Sequence, residues 1–199
     1  MIDLGPATED DTILAFLRAE IDSARFGSKY AAILSNSRLD RRSLIDKPDL
    51  NSAQDNWTRR ELLKLVRGYG SNAYLFRGFP TNVQWRRLGL QSNDLSNLKY
   101  ANCSPWVELS HGTRIVTDGA KNIDLINTPV DIDKNVKAVA DDLKLGKRYP
   151  DLIGVNGNSD EIILLEGHTR ATAYVLAQLS ESIQCIIGSS PIMRNWAFY

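Results

Sequence analysis

The sequence is poor in the residues that build metal centres and disulfide frameworks. It has two cysteines, Cys103 and Cys185, and two histidines, His111 and His168, among 199 residues. The cysteines form no C-x-x-C pair, and neither histidine has an H-x-x-x-H or H-E-x-x-H partner. These spacings argue against a dedicated zinc site and predict two reduced, mostly buried thiols.

The chain also lacks an excess of charge of either sign. Lysine plus arginine and aspartate plus glutamate each number 24, whereas proteins that coat nucleic acid usually carry a basic excess. No apolar run approaches the roughly 20 residues that cross a bilayer. The N-terminal MIDLGPATEDD lacks the basic and apolar regions of a secretory signal. We therefore expect a cytoplasmic protein without a membrane partner.

What is present is an ordinary globular composition. Hydrophobic residues make up 43% of the chain and charged residues 24%, which is typical of a folded domain. The length suits one domain, residues 1–199, that buries a core without a metal or disulfide.

Residues 1–122 read as a mostly helical extension. Thr8 and Asp11 match a capping box, and Ile13, Phe16 and Leu17 follow at helical spacing, so we expect a helix that stops by Gly27. Further elements expected in this part are a helix capped by Thr58, a short strand over residues 73–76, and helices that start at Thr81 and Ser92.

Residues 123–190 alternate between strand and helix patterns. After the apolar pair Leu125-Ile126, a break at Thr128-Pro129 precedes a helix capped by Asp131 or Asp133 that ends near Gly146. The later elements expected are a strand over residues 152–155, a hairpin turn over 156–160, a buried strand over 162–165, a helix through Leu179 and a strand over 183–187. This order predicts a mixed α/β (α+β) fold.

One segment, Glu166 to Ala173, has a chemical meaning because it joins a buried strand to a helix through Gly167. The first amides of a helix have no internal acceptor, so such an end stabilises an anion, above all a phosphate. We expect Gly167, His168, Thr169 and Arg170 to contact the anion, with Glu166 as an accessory carboxylate. The alternatives are that Arg170 pairs with Glu166 or Glu181 on the surface, and that Glu166 is only a surface acid at a strand end.

This segment resembles the N-terminal domain of ParB partition proteins and the wider ParB/sulfiredoxin-like superfamily. The resemblance rests on the hairpin turn, the apolar strand, Gly167-x-x-Arg170-x-x-Ala173 and the closing strand, with Pro150 in the expected connection. It implies a ParB/sulfiredoxin-like core over residues 123–190, preceded by the helical extension. His168 occupies the position of the sulfiredoxin cysteine, and Thr169 that of the first of two ParB arginines.

The resemblance implies that the Gly167–Arg170 box binds the phosphates of a nucleotide, as ParB proteins bind CTP and sulfiredoxins bind ATP. The candidate cofactor is thus a nucleoside triphosphate with Mg²⁺, and no catalytic residue follows from the pattern. ParB proteins continue into a helix-turn-helix and a dimerisation domain, which we do not expect here because the chain ends soon after the closing strand.

Two alternatives of a different class stay open. The first is a DNA-associated module or ParB-like nuclease, suggested by the basic pairs Arg41-Arg42, Arg59-Arg60 and Arg86-Arg87 beside Trp57 and Trp85, although solvated helix faces explain these pairs as well. The second is a non-enzymatic interaction protein. We expect its aromatic tail, residues 191–199, to pack back on the body rather than to dock a partner.

Overall fold

A computed structural model describes residues 1–125, 131–157, 160–178 and 181–199. The strands are β1 (Ile2–Ala7), β2 (Gln84–Leu90), β3 (Leu98–Lys99), β4 (Leu152–Asn156), β5 (Ile162–Glu166) and β6 (Ile183–Ser189). They form one six-stranded sheet in the order β1-β2-β6-β4-β5-β3. The β4–β6 and β3–β5 pairs are parallel, and the others are antiparallel. The predicted mixed α/β class is therefore confirmed.

Helices cover both faces of this sheet. They are α1 (Glu9–Glu20), α2 (Gly27–Asn36), α3 (Ala53–Arg67), α4 (Trp106–Leu109), α5 (Val116–Asn122), α6 (Ile132–Lys144) and α7 (His168–Ala177). Alternate residues of β5 serve opposite faces: Ile163 and Leu165 pack in the core with α1 and α3, whereas Ile162 and Leu164 pack with α5 and α7. A strand buried on both faces reads as a continuous apolar run.

The elements predicted around the strand-to-helix turn are confirmed. Strands β4, β5 and β6 and helices α6 and α7 lie where the apolar patterns place them, and Gly146 follows α6 with a φ of 83°. Of the other features expected in this part, Ile126, Thr128-Pro129, the centre of the turn at Asn158-Ser159, and Leu179 lie outside the described residues.

Several predictions for residues 1–122 are wrong. Residues 2–7, which drew no prediction, form β1; the expected strand at 73–76 is a 3₁₀ turn, Tyr74–Phe76; and the expected helix after Thr81 is β2. Ser92 opens a 3₁₀ segment, Ser92–Asn97, instead of an α-helix. The reason for β2 is tertiary, because it bonds along its length to β1 on one side and to β6 on the other.

Two expected helix boundaries also move. Helix α1 ends at Glu20, and Gly27 instead begins α2. Helix α3 starts at Ala53, where the hydroxyl of Ser52 accepts from the Asp55 amide at 3.2 Å. Thr58 lies inside that helix, and its hydroxyl donates to the carbonyl of Gln54 at 2.9 Å. A residue that bonds back one turn continues a helix and does not cap it.

The sheet crosses the boundary expected between residues 122 and 123, since β1, β2 and β3 pair with later strands. The aromatic tail packs back as expected: Trp196 is 2% exposed, and its Nε1 donates to the carbonyl of Leu75 at 2.6 Å. Within the described ranges, no helix combines the length and apolar character that a bilayer crossing requires.

Candidate functional site: the start of helix α7

The turn from β5 to α7 depends on Gly167. Its φ is 100°, and an added Cβ would lie 2.6 Å from Leu152 Cδ2, so a side chain here meets both strain and a clash. Helix α7 then begins at His168 with no side-chain cap and no acidic residue in its first turn. The positive end of the helix dipole is therefore left without the usual negative partner.

Arg170 has a different role from the one expected. The residue is only 7% exposed, and its Nη1 donates to the carbonyl of Pro150 at 2.6 Å. Its Nη2 donates to Glu166 Oε1 at 3.1 Å. The pairing with Glu166, held open as an alternative, is present, but it is buried rather than on the surface. The guanidinium therefore ties the turn to the segment before β4 and is not a free fork for an anion.

His168 packs beside two aromatic rings at the same turn. Its ring stacks on Tyr100 at 5.9 Å and contacts Trp106 at 5.4 Å between centroids. Nε2 accepts a hydrogen bond from the Ala101 amide at 3.2 Å. Burial, reinforced by the positive charges of Arg67, Arg170, Arg114 and Arg25, lowers the pKa of His168 to about 3. The imidazole is thus neutral, and its proton sits on Nδ1.

The rest of the turn consists of the His168 backbone and the remaining two expected residues, Thr169 and Glu166. The carbonyl of His168 accepts from Thr172 Oγ1 at 2.8 Å, and this hydroxyl is 2.7 Å from the hydroxyl of Tyr100. Thr169 is half-buried in the first turn of α7. Glu166 is also partly buried, so the description of a simple surface acid does not fit it.

Three residues that the sequence patterns did not single out meet at this end of the sheet. Glu20 is the last residue of α1, Tyr30 lies in α2, and Arg67 ends α3. Arg67 Nε lies 3.2 Å from Glu20 Oε1, and the Tyr30 hydroxyl donates to Glu20 Oε2 at 3.0 Å. A signal was available, because Glu20 falls on the apolar stripe of α1 with Ile13, Phe16 and Leu17.

Glu20 is a buried carboxyl, 3% exposed. Burial raises its pKa to about 7; Arg67 acts against this rise, and the negative charge of Glu166 adds to it. Tyr30 responds to the same surroundings, since burial and Glu20 raise its pKa. Glu166 therefore acts on Glu20 across the site, and the buried Glu20 carboxyl keeps its proton to higher pH than a carboxyl in water does.

Arg67 is the positive charge in contact with Glu20. Its side chain is 13% exposed and packs over the ring of Phe26 at 4.2 Å. Nε is buried and, among the described residues, has no partner of hydrogen-bond geometry, although Glu20 is within ionic distance. Among the positive charges that act on His168, that of Arg67 is the strongest, ahead of Arg170.

The basic pairs expected to mark a nucleic-acid surface are largely engaged elsewhere. Arg59 is fully buried and Trp85 is 7% exposed. Four of the other arginines form ion pairs, as follows: Arg41 with Asp22, Arg60 with Glu9, Arg86 with Asp3, and Arg87 with Asp151. Nucleic-acid binding therefore stays a hypothesis.

The thiols do not form a reactive pair. Cys185 is buried and Cys103 is half-buried, and both are free. Burial raises the pKa of the Cys103 thiol even though Arg25, Arg114 and Arg67 oppose the shift. Over the residues that the structure describes, no three His, Cys, Asp or Glu side chains are grouped so as to hold a metal ion.

Comparisons with protein-family models, with curated proteins and with solved structures found no match to this chain. The ParB resemblance of residues 123–190 therefore stays a prediction.

Proposed function

We propose that this protein binds a phosphate-bearing ligand at the start of α7, with Arg67 as its main charged contact. The observation that carries the proposal is the Arg67 guanidinium, which is mostly buried, has one ionic neighbour at 3.2 Å and acts strongly on the first residue of α7. A buried charge with so few partners is costly unless a ligand completes its contacts.

The surroundings favour an anion over a cation. Four arginines, Arg67, Arg170, Arg114 and Arg25, act on His168, whereas the carboxyls tied to this cluster are two, Glu20 and Glu166. The uncapped amides at the start of α7 add the positive end of a helix dipole. In this proposal the backbone of Gly167, His168 and Thr169 faces the phosphate, and Arg170 positions the turn through Pro150 and Glu166.

The class of phosphate ligand follows from the resemblance to ParB proteins and sulfiredoxins, which suggests a nucleotide. On this view Mg²⁺ would be carried by the phosphates, with Glu166 as the accessory carboxylate. Catalysis is not part of the proposal.

The test is calorimetric titration with inorganic phosphate and with nucleoside triphosphates plus Mg²⁺. We expect the wild type to bind, and Arg67→Met to bind at least tenfold more weakly, since a charge-assisted hydrogen bond contributes about 1.5–3 kcal/mol. Arg67→Lys keeps the charge but not the fork and should fall between them. Arg148→Met, which removes an arginine that is 89% exposed, is the matched control.

Two results would count against the proposal. One is the absence of heat for every ligand with the wild type at low salt. The other is equal affinity of the wild type and a folded Arg67→Met protein, because that result would mean that Arg67 does not contact the ligand. Circular dichroism of each variant establishes that it is folded.

A further inference from the structure

The buried carboxyl of Glu20 sits where an incoming anion would have to compete with it. Glu20 shares its charged neighbour Arg67 with the proposed ligand, and its second oxygen already accepts from Tyr30. Apart from Glu20, the buried polar and charged side chains of the described residues include no carboxyl. A carboxyl that is kept this far from water and beside a ligand-binding arginine acts on whatever binds there.

The charged and titratable groups that act on Glu20 come from three elements and one connection. Arg67 reaches it from the end of α3, Tyr30 from α2, Arg25 from the connection before α2, and Glu166 from the end of β5. Two of these groups are positive and one is negative. An anion on Arg67 would therefore add a third negative charge to a space that already holds two carboxylates.

We propose that Glu20 is a specificity-determining residue that couples ligand binding to protonation, so that the site takes up one proton on the Glu20 carboxylate with each anion. This inference rests on the proposed function, because it requires an anion at the start of α7. When the ligand binds, its negative charge lies beside Arg67, and a proton from solvent neutralises the Glu20 carboxylate. The only covalent bond that forms is the O–H bond of that carboxyl.

The pH dependence follows from this coupling. Burial and Glu166 hold the pKa of Glu20 near 7 in the free protein, and a bound anion raises it further. Below the free pKa the proton is already present, so affinity should not change with pH. Above the free pKa each ligand must bring a proton, so affinity should fall by about tenfold per pH unit until the bound-state pKa is reached.

Glu20→Gln separates this mechanism from the titration of the ligand itself. Glutamine is permanently neutral and of the same shape, so the variant imitates protonated Glu20 at every pH. With inorganic phosphate as the probe, the two proteins should bind equally at pH 6, and the variant should bind about tenfold more tightly at pH 8. Because both proteins meet the same phosphate, the titration of phosphate cancels from the comparison.

The experiment is calorimetry with inorganic phosphate from pH 5.5 to 8.5, in pairs of buffers with different ionisation heats, which counts the protons bound. At pH 8 the wild type should take up about one proton more per phosphate than Glu20→Gln. Asp22→Asn is the matched control, because Asp22 lies close in sequence but its side chain is 70% exposed and pairs with Arg41. This control should behave as the wild type does.

Tyr30→Phe provides a second, independent variant. The Tyr30 hydroxyl donates to Glu20 Oε2 and so stabilises the ionised carboxylate. Without that hydroxyl the pKa of Glu20 rises, and the midpoint of the pH profile should lie at higher pH than in the wild type. If Glu20→Gln fails to fold, an unchanged midpoint in Tyr30→Phe overturns the inference.

The failures of the two proposals are distinguishable. Phosphate binding with the same proton count and pH profile in the wild type and Glu20→Gln would overturn the role of Glu20 and leave the proposed function standing. A wild type that binds no phosphate anywhere between pH 5.5 and 8.5 would overturn both.

Discussion

Adjacent arginines on α3 have opposite environments. Arg59 is fully buried, and its Nη1 and Nη2 donate to the carbonyls of Leu44 and Asp49 at 2.9 and 3.1 Å. Arg60, the next residue, is partly exposed and pairs with Glu9 at 2.7 Å. Arg59 thus holds the polar segment between α2 and α3 against the core, whereas Arg60 contributes a surface ion pair.

We expect Arg59→Met to lower the free energy of unfolding by about 3 kcal/mol, because the buried carbonyl of Leu44 and the part-buried carbonyl of Asp49 lose their donor. Arg60→Met should change it by less than about 1 kcal/mol, the usual value of an exposed pair. Urea denaturation of both variants gives the comparison. Equal losses would mean that Arg59 does not organise the segment it contacts.

Tertiary contacts that the local sequence does not reveal also explain what the sequence patterns missed at the site. Arg170 was expected to bind the ligand because it closely follows Gly167. It lies four residues after Glu166, however, and its guanidinium donates to Glu166 and to the carbonyl of Pro150 instead. Glu20 and Arg67 were missed because they end two helices that are far apart in sequence and meet only through packing of α1 against α3. Their position on apolar helix faces was the one local signal.

At the scale of elements, α1 is fixed by its first turn. The Asp11 amide donates to Thr8 Oγ1 at 3.0 Å, and the Thr8 amide donates to Asp11 Oδ2 at 2.8 Å, which completes the capping box expected from the sequence. Because α1 positions Glu20 at its other end, its stability also bears on the site.

Thr8→Ala should lower the free energy of unfolding by about 1 kcal/mol, the usual loss for a removed N-cap. Thr58→Ala is the control, because Thr58 lies inside α3 and its hydroxyl donates to the carbonyl of Gln54. This substitution should leave the free energy of unfolding unchanged or raise it slightly, because alanine has the higher helix propensity. Thermal unfolding of both variants measures the difference. A larger loss for Thr58→Ala would restore Thr58 as the start of that helix.

Elements were predictable where the local pattern and the tertiary contacts agree. The run Ile162–Leu165 predicts β5 because a strand that is buried on both faces appears in the sequence as a continuous apolar run. Gly167 then marks the turn into α7. Strand β2 was missed because Arg86 and Arg87 at its centre read as an exposed helix surface. Those arginines lie in a strand because β1 and β6, remote in sequence, bond to both of its edges.

At the scale of the whole molecule, the C-terminal tail joins both halves of the chain. The Arg114 Nη1 donates to the carbonyl of Tyr199 at 3.0 Å, and the Gly157 amide donates to the Tyr199 hydroxyl at the same distance. Trp196 is buried in the core that contains α1 and α3. The tail is therefore part of the fold, and the helices that carry Glu20 and Arg67 pack in the same core.

We expect Trp196→Ala to lower the free energy of unfolding by about 3–5 kcal/mol, because it leaves a large cavity and an unpaired carbonyl at Leu75. Ile192→Ala is the control: Ile192 is 53% exposed, so its change should stay within about 0.5 kcal/mol. Urea denaturation measures both, and native mass spectrometry reports the oligomeric state. An unchanged unfolding midpoint together with a changed oligomeric state would make Trp196 a docking residue, and the tail would then have to leave the core in solution.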